Sequence, residues 1–348
     1  MDVVTQGLLG AAVAQSGARK SETKLATLIG FLSGLLADAD VFIYSARDTL
    51  YTIEYHRHFT HSLLFIPAGA LIAALLLWPF LKKRLPFGRI YFYCLLGYLL
   101  SGTLDAFTSY GTYLYWPFSN ERVAWHLVSI VDPVFSLFLL VSVVAGLMLR
   151  NNRIARVGLL FCGLYLVAGA WQLHRAEHYV EQLASERGHT PQRLVVRPSL
   201  GNIILWRSTY IDQGRIYIDA VRTGFAEIKH YPGKAIAHLN KHELEQTFTP
   251  GTVLYEDVLR FNYFSDNFLA WHPDKVNVIG DVRYAMVPDS NKPLWGIEFD
   301  MDQGQQHARF VTFRNNNVET RQRFFAMLKG EDVKPRPENI NNKVSHAE

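Results

Sequence analysis

Along the first half of the chain apolar positions come in long unbroken runs, and along the second half they alternate or recur in short bursts. Residues 2 to 17 and 22 to 43 predict two short helices rich in small residues, with Gly7, Gly10, Ala14 and Gly17 on the first and Gly30 and Gly34 on the second. Small residues at that spacing let helix backbones approach closely in lipid, so the pair is expected to pack as a hairpin. Four stronger spans follow, His61 to Leu81, Arg89 to Leu104, Leu127 to Leu149 and Arg153 to Leu173. Each is near the roughly 20 residues that a bilayer core demands. A charged helical stretch, His174 to Gly188, continues the last span out of the membrane. The period then changes: Arg193 to Val196, Asn202 to Tyr210 and Arg215 to Arg222 predict strands, with Asp212-Gln213-Gly214 as a three-residue hairpin loop. Val253 to Tyr263 predicts a helix, Val276 to Met286, Leu294 to Met301 and Ala308 to Arg314 further strands, and Val318 to Lys329 a closing helix.

The expected fold is therefore an α-helical integral membrane bundle of about five or six helices, followed by a smaller α+β soluble domain with an antiparallel sheet. The expected domains are residues 1–173, residues 174–330, and a disordered tail at 331–348 rich in Pro, Asn and charge. Charge sharpens the division. Residues 1–173 hold 13 Lys/Arg and 9 Asp/Glu, residues 174–348 hold 22 of each, and the net +4 belongs to the first half. The basic residues lie in short loops, which argues against nucleic acid and for membrane orientation. Arg19, Lys20 and Lys24, then Lys82, Lys83, Arg84 and Arg89, then Arg150, Arg153 and Arg156 mark three turns that share the cytoplasmic side in a simple up-and-down path. The opposite ends carry Asp38, Asp40, Asp105, Asp132 and the histidines, and the C-terminal domain follows on that outer side. The start, Met1-Asp2-Val3-Val4, lacks the basic region of a cleavable signal. Cys94 and Cys162 sit inside apolar runs, so neither a disulfide framework nor a thiolate metal site is expected.

The candidate chemistry centres on Tyr55-His56-Arg57-His58-Phe59-Thr60-His61-Ser62, at the mouth of a span. Histidines at a membrane boundary can be merely interfacial, and an aspartate at a helix end can simply face water. Those accounts do not predict that Asp38, Asp40, Asp105 and Asp132 converge from separate helices on the level of His56 to His61. A carboxylate costs on the order of 2.5–3.5 kcal/mol at the centre of a membrane helix, and mixed Asp/His ligands suit Zn²⁺ or another divalent ion. Thr60 is a candidate N-cap for a helix opening at His61. Arg57 suits either a phosphate or carboxylate partner or a snorkelling interfacial place. The pairs His174/His178 and His238/His242 have helical spacing but no zincin glutamate, and read as solvated faces. No Gly-x-Ser-x-Gly elbow and no glycine-rich phosphate loop is present.

Several separated motifs then add up. Met1-Asp2 with Thr5-Gln6, Leu9-Gly10-Ala11-Ala12, His56-Arg57-x-x-Thr60-His61-Ser62, Leu104-Asp105-Ala106-Phe107-Thr108-Ser109-Tyr110-Gly111-Thr112, Trp116-Pro117-Phe118-Ser119 and Ile130-Val131-Asp132-Pro133 together resemble the bacterial membrane-bound metal-dependent hydrolase family of the YdjM type over about the first 150 residues. The resemblance implies a multi-pass inner-membrane protein with a divalent-metal site for hydrolysis. It implies His61 and Asp105 as ligands, His56 and the Asp38/Asp40 pair completing the site, and Arg57 beside it. Three departures stand out: Ser101 where many relatives have histidine, His58 where glycine is usual, and Gln15 where glutamate is frequent. His58 is then the residue that would replace a ligand lost at Ser101. The expected activity is hydrolysis of an ester or phosphoester, on a lipid-linked or envelope substrate at the periplasmic face. The expected cofactor is zinc, with manganese as the alternative ion, and His56 and Arg57 are the expected catalytic side chains. Membrane lipids are the expected partners. The rival expectation is a catalytically degenerate membrane scaffold whose periplasmic domain binds a partner.

Overall fold

The computed structural model describes residues 1–334, in two compact units. The first comprises Met1–Tyr44, Glu54–Leu173 and Leu200–Ile203, and the second comprises Ser45–Ile53, His174–Ser199 and the chain from Ile204 onward. In chain order the helices begin with α1 (Val3–Ser16), α2 (Thr23–Leu36), α3 (Tyr51–Tyr55), α4 (Ile66–Leu81), α5 (Phe87–Tyr98), α6 (Ser101–Ala106), α7 (Pro133–Met148) and α8 (Asn152–Glu186). Short 3-10 turns cover Ala37–Phe42, Phe59–His61 and Leu63–Phe65.

Small residues do assemble α1 and α2. A methyl group on Gly34 would fall 2.7 Å from the Gln6 carbonyl oxygen, and one on Gly10 would fall 2.8 Å from that of Gly97 on α5 and overlap that of Gly30. The three backbones therefore touch, and the hairpin expected from the spacing is present. Helix α4 shows the solvent it is built for. Gly69, Ala70, Ala73 and Ala74 face inward, while Leu71, Ile72, Leu75 and Leu76 are exposed. Large apolar side chains outside and small ones inside suit a lipid environment and would be costly in water. Among the described residues, three helical segments are long and apolar enough to cross a membrane: Thr23–Phe42, Leu63–Leu81, and a stretch within Asn152–Glu186. The expected bundle of five or six spanning helices is thus only partly realised by length, α7 being a shorter apolar helix.

Three boundaries move for local reasons. The span expected at Arg89 to Leu104 breaks at Leu100, which leaves helical geometry and divides α5 from α6. The helix expected at His61 opens at Ile66, after the Ser62 hydroxyl accepts from the Phe65 N–H at 3.3 Å. Thr60 is therefore no cap. The span expected from Leu127 starts at Pro133, where proline occupies the first turn and the Asp132 carboxylate accepts from the Val134 and Phe135 N–H groups, both at 3.1 Å. His174 to Gly188 does continue the last span, in α8.

In the second unit the single sheet expected becomes two four-stranded antiparallel sheets. The first runs β1 (Arg193–Pro198), β2 (Leu205–Asp212), β3 (Arg215–Thr223) and β4 (Ile228–Ala237). Two helices follow, α9 (Lys241–Thr247) and α10 (Val253–Phe264), then the second sheet, β5 (Leu269–Trp271), β6 (Val278–Asp281), β7 (Trp295–Glu298) and β8 (Arg309–Thr312), and finally α11 (Val318–Lys329). Asp212 pairs directly with Arg215, so the hairpin loop is the two residues Gln213 and Gly214, both at positive φ (46° and 73°), rather than three. That conformation matches the twist of the flanking strands. Strand β4 escaped the periodicity because Pro232 and Gly233 interrupt it; it lies at the sheet edge, where a proline is tolerated. The strands expected at Val276 to Met286, Leu294 to Met301 and Ala308 to Arg314 pair over only four residues each. His238 precedes α9 rather than sharing a helix with His242; its ring Nε2 lies 2.6 Å from the Asn267 carbonyl oxygen. Of the expected tail, residues 335–348 lie outside the described residues.

Candidate metal centre

Three side chains from separate elements of the first unit meet. Asp38 comes from the 3-10 turn that ends the first long apolar segment, His61 closes the turn Phe59–His61, and Asp105 lies on α6. Their ligand atoms all fall within 4.8 Å of one another, and all three residues are buried. His61 Nε2 is 3.0 Å from Asp105 Oδ2 and 3.4 Å from Asp38 Oδ1. Neither approach is aligned as a hydrogen bond: His61 Nε2, Asp105 Oδ2 and Asp38 Oδ2 are buried without a hydrogen-bond partner. Groups of that kind in a low-dielectric interior cost free energy unless something satisfies them.

The backbone arranges this meeting. Gly102 packs so closely on the His61 carbonyl that no Cβ would fit between them, and Ser101-Gly102 begins the short helix that carries Asp105. The Tyr98 hydroxyl donates to the Thr60 carbonyl at 2.7 Å. Asp40 binds the loop from below: its Oδ2 accepts from the Arg57 N–H at 2.7 Å and from the Thr60 hydroxyl at 3.0 Å, and lies 3.4 Å from His61 Nδ1. Arg57 is held in the left-handed region (φ 60°), an uncommon place for a residue with a Cβ, with its carbonyl accepting from the Tyr113 N–H at 3.1 Å. Thus Asp38 and Asp40 do different things. Two residues apart in a 3-10 turn they point to different sides. Asp38 faces His61 Nε2, while Asp40 faces Nδ1 and leaves Nε2 directed at the other carboxylates.

The remaining sequence-derived candidates fall around this core. Arg57 places Nε 3.1 Å from Asp105 Oδ2 and donates through Nη1 to the Thr108 hydroxyl at 2.9 Å; it is buried and acts on Asp105. The Met1 nitrogen contacts the other Asp105 oxygen. His56 lies outside the three-residue group, with Nδ1 3.1 Å from Asp40 Oδ1 and its side chain 30% exposed. Burial holds the His56 imidazole below its ordinary pKa against the opposing pull of Asp40, so it is neutral at pH 7. The structure does not bring His58 to the carboxylates: its ring packs on Tyr113 at 4.5 Å and Trp116 at 5.6 Å. Ser101 is buried one turn before Asp105, and its carbonyl accepts from Gln6 Nε2 at 3.2 Å. Asp132 belongs to the cap of α7 and accepts from the Tyr165 hydroxyl at 3.0 Å. Sequence reasoning missed Gly102, Tyr98 and Thr108. Only the small pair Ser101-Gly102 inside an apolar run hinted at a close approach.

Two carboxylates and an imidazole form a donor set that fits Zn²⁺ or Mn²⁺, and three protein ligands leave room for a further one. The orphaned atoms give such an ion a place. Among the described residues a second group of the same composition exists in the second unit, Asp48, Asp257 and His307. There Arg260 Nη1 donates to Asp48 at 2.8 Å and Asp257 at 2.9 Å, while His307 Nδ1 and the Ala308 N–H meet Asp257 at 2.9 Å. A guanidinium already fills that group.

The part of the chain that holds the first group is also the part that matches a known family. Residues 1–176 match the family model described as YdjM inner membrane protein. An uncharacterized protein, YfhP of Bacillus subtilis (strain 168), is 29% identical over 151 residues, which is 43% of this chain and 44% of that relative. The matched region thus spans less than half of the relative's length. No solved structure matches the chain.

Proposed function

Because this chain belongs to the YdjM inner membrane protein family, we propose that it is a metal-dependent hydrolase of the inner membrane, acting on an ester or phosphoester of a lipid-linked or envelope substrate. The observation that carries the reading is the convergence of Asp38, His61 and Asp105, each with a buried atom that lacks a hydrogen-bond partner. A divalent ion bound there would supply Lewis-acid polarisation of the substrate's ester or phosphoryl oxygen. The side chains around it have distinct tasks. Asp40 and Thr60 hold His61 Nδ1, so that Nε2 stays directed at the carboxylates. Arg57, with Nε 3.1 Å from Asp105 Oδ2, orients Asp105. His56, partly exposed and neutral, has Nδ1 committed to Asp40 and offers Nε2 as the proton acceptor.

The three basic loops support an orientation with this site and the second unit on the periplasmic side. Reporter fusions after Arg84 and after Gly188 test it, with cytoplasm expected for the first and periplasm for the second; the same side for both refutes it. The hydrolase reading is tested on protein purified in mild detergent and loaded with zinc or manganese. Bound metal lost in His61→Ala and Asp105→Ala, together with metal-dependent hydrolysis of a lipid extract, is the expected result. Wild-type protein with no metal above background would sink it. That outcome would favour the scaffold reading, for which the Arg57–Asp105 ion pair is the supporting observation: a cation is already beside the carboxylate.

A further inference from the structure

The second unit contains a cleft that the proposed hydrolase does not use. Its volume is about 1550 Å³, and its walls come from β4, the β5–β6 turn, the loop before β7, the chain after β8 and α11. Seven Lys or Arg side chains line it, among them Lys234, Lys275, Lys292, Arg314 and Arg323, against two acids, Asp274 and Glu319. This is segregation and not general basicity, since residues 174–348 hold equal numbers of basic and acidic residues. Part of the charge is internally matched: Lys292 pairs with Asp274 at 2.5 Å, and Arg323 with the buried Asp289. These pairs brace the wall. Lys275 and Arg314 are exposed on the cleft, with the Lys275 ammonium 5.4 Å from the Phe313 ring centre.

We infer that this cleft binds a phosphate-bearing anion, either the headgroup of an acidic lipid or a soluble phosphate polymer of the envelope. Three properties carry the assignment. The cationic excess raises the positive potential within the cleft. Guanidinium and ammonium groups together suit phosphate oxygens, as a fork and as point charges. The volume exceeds the roughly 300–1,000 Å³ of small-molecule sites, which suits a ligand carrying several charges.

The test is tripolyphosphate binding to the full-length protein in neutral detergent, by calorimetry, at low and moderate salt. Saturable, salt-sensitive binding is expected, weakened about 10-fold or more in Lys275→Glu/Arg314→Glu. It should persist in His61→Ala, which separates this site from the metal centre whether or not the hydrolase reading stands. Lys275→Gln/Arg314→Gln, with an unchanged unfolding midpoint, guards against misfolding and should also bind more weakly. Competition by phosphatidylglycerol nanodiscs but not phosphatidylcholine nanodiscs identifies a headgroup, and no competition identifies a soluble polymer. Absence of tripolyphosphate binding, binding unchanged in both double variants, or equal affinity for citrate overturns the proposal.

Discussion

The two units each hold two aspartates and a histidine within ligand distance, each with an arginine beside a carboxylate, and the groups differ in how completely their hydrogen bonds are met. In the second unit, Asp48 and Asp257 receive hydrogen bonds from Arg260, from backbone N–H groups and from His307. In the first, Asp38, His61 and Asp105 each keep one buried atom without a hydrogen-bond partner, although Arg57 Nε lies 3.1 Å from Asp105 Oδ2. Composition therefore does not distinguish a structural ion-pair network from a candidate metal centre, and the hydrogen-bond account of each ligand atom is where the two groups differ. Burial without satisfaction is tolerable only where something else supplies the missing partner.

The comparison can be broken most forcefully at the ligands themselves. His61→Ala and Asp105→Ala should each abolish metal binding by elemental analysis, while His307→Ala leaves metal content at the wild-type level; metal lost equally in all three would erase the distinction. Next in size is the effect of Asp257→Ala on folding. Removing this buried carboxylate from Arg260, His307 and the Ala308 N–H should destabilise the second unit by about 2–4 kcal/mol, discounted for the partial exposure of Arg260, as read by thermal unfolding. A smaller effect is expected from Asp40→Asn. It keeps the fold of the loop but weakens the hold on His61 Nδ1, and metal affinity should fall about 10–100-fold, with Asp38→Asn costing more. The smallest effect concerns another saturated network. Burial disfavours an ionised Asp219, yet hydrogen bonds from His230 and Arg187 hold its carboxyl below the ordinary range. A carboxylate with a depressed folded pKa contributes stability above its unfolded pKa and loses it as pH falls through the folded one. Acid unfolding of the second unit should therefore begin below about pH 4, and Asp219→Asn should flatten that limb of the curve.

Much of this was legible from the chain, for a physical reason. Ionisable groups beside apolar runs are expensive, so His61, Asp105 and the Asp38/Asp40 pair stood out as residues needing an account. The small-residue spacing likewise foretold the α1–α2 contact, and runs rich in Ile, Val, Tyr and Trp foretold β1, β2 and β3. What stayed hidden depends on local geometry that periodicity does not encode. The 3-10 turn at Ala37–Phe42 separates the tasks of Asp38 and Asp40, and Leu100 splits an apolar run that reads as continuous. His58 is indistinguishable from His56 and His61 by type, yet it packs at tilted angles among aromatic rings. Strand β4 was obscured by Pro232-Gly233, and with it the division into two sheets.

The segment Ser45–Ile53 folds with the second unit although the chain on both sides of it belongs to the first. Thr49 there accepts from the Phe310 N–H at 2.8 Å through its hydroxyl and donates to the Ala308 carbonyl at 3.3 Å, while Asp48 engages Arg260. Pieces of one folded unit share a compartment, so the parity of the topology follows. Between Ile53 and His174 the chain must cross the bilayer an even number of times, which admits α4 with α8 alone, or these two with α5 and α7 added as a pair, and rejects any scheme that adds just one of α5 and α7.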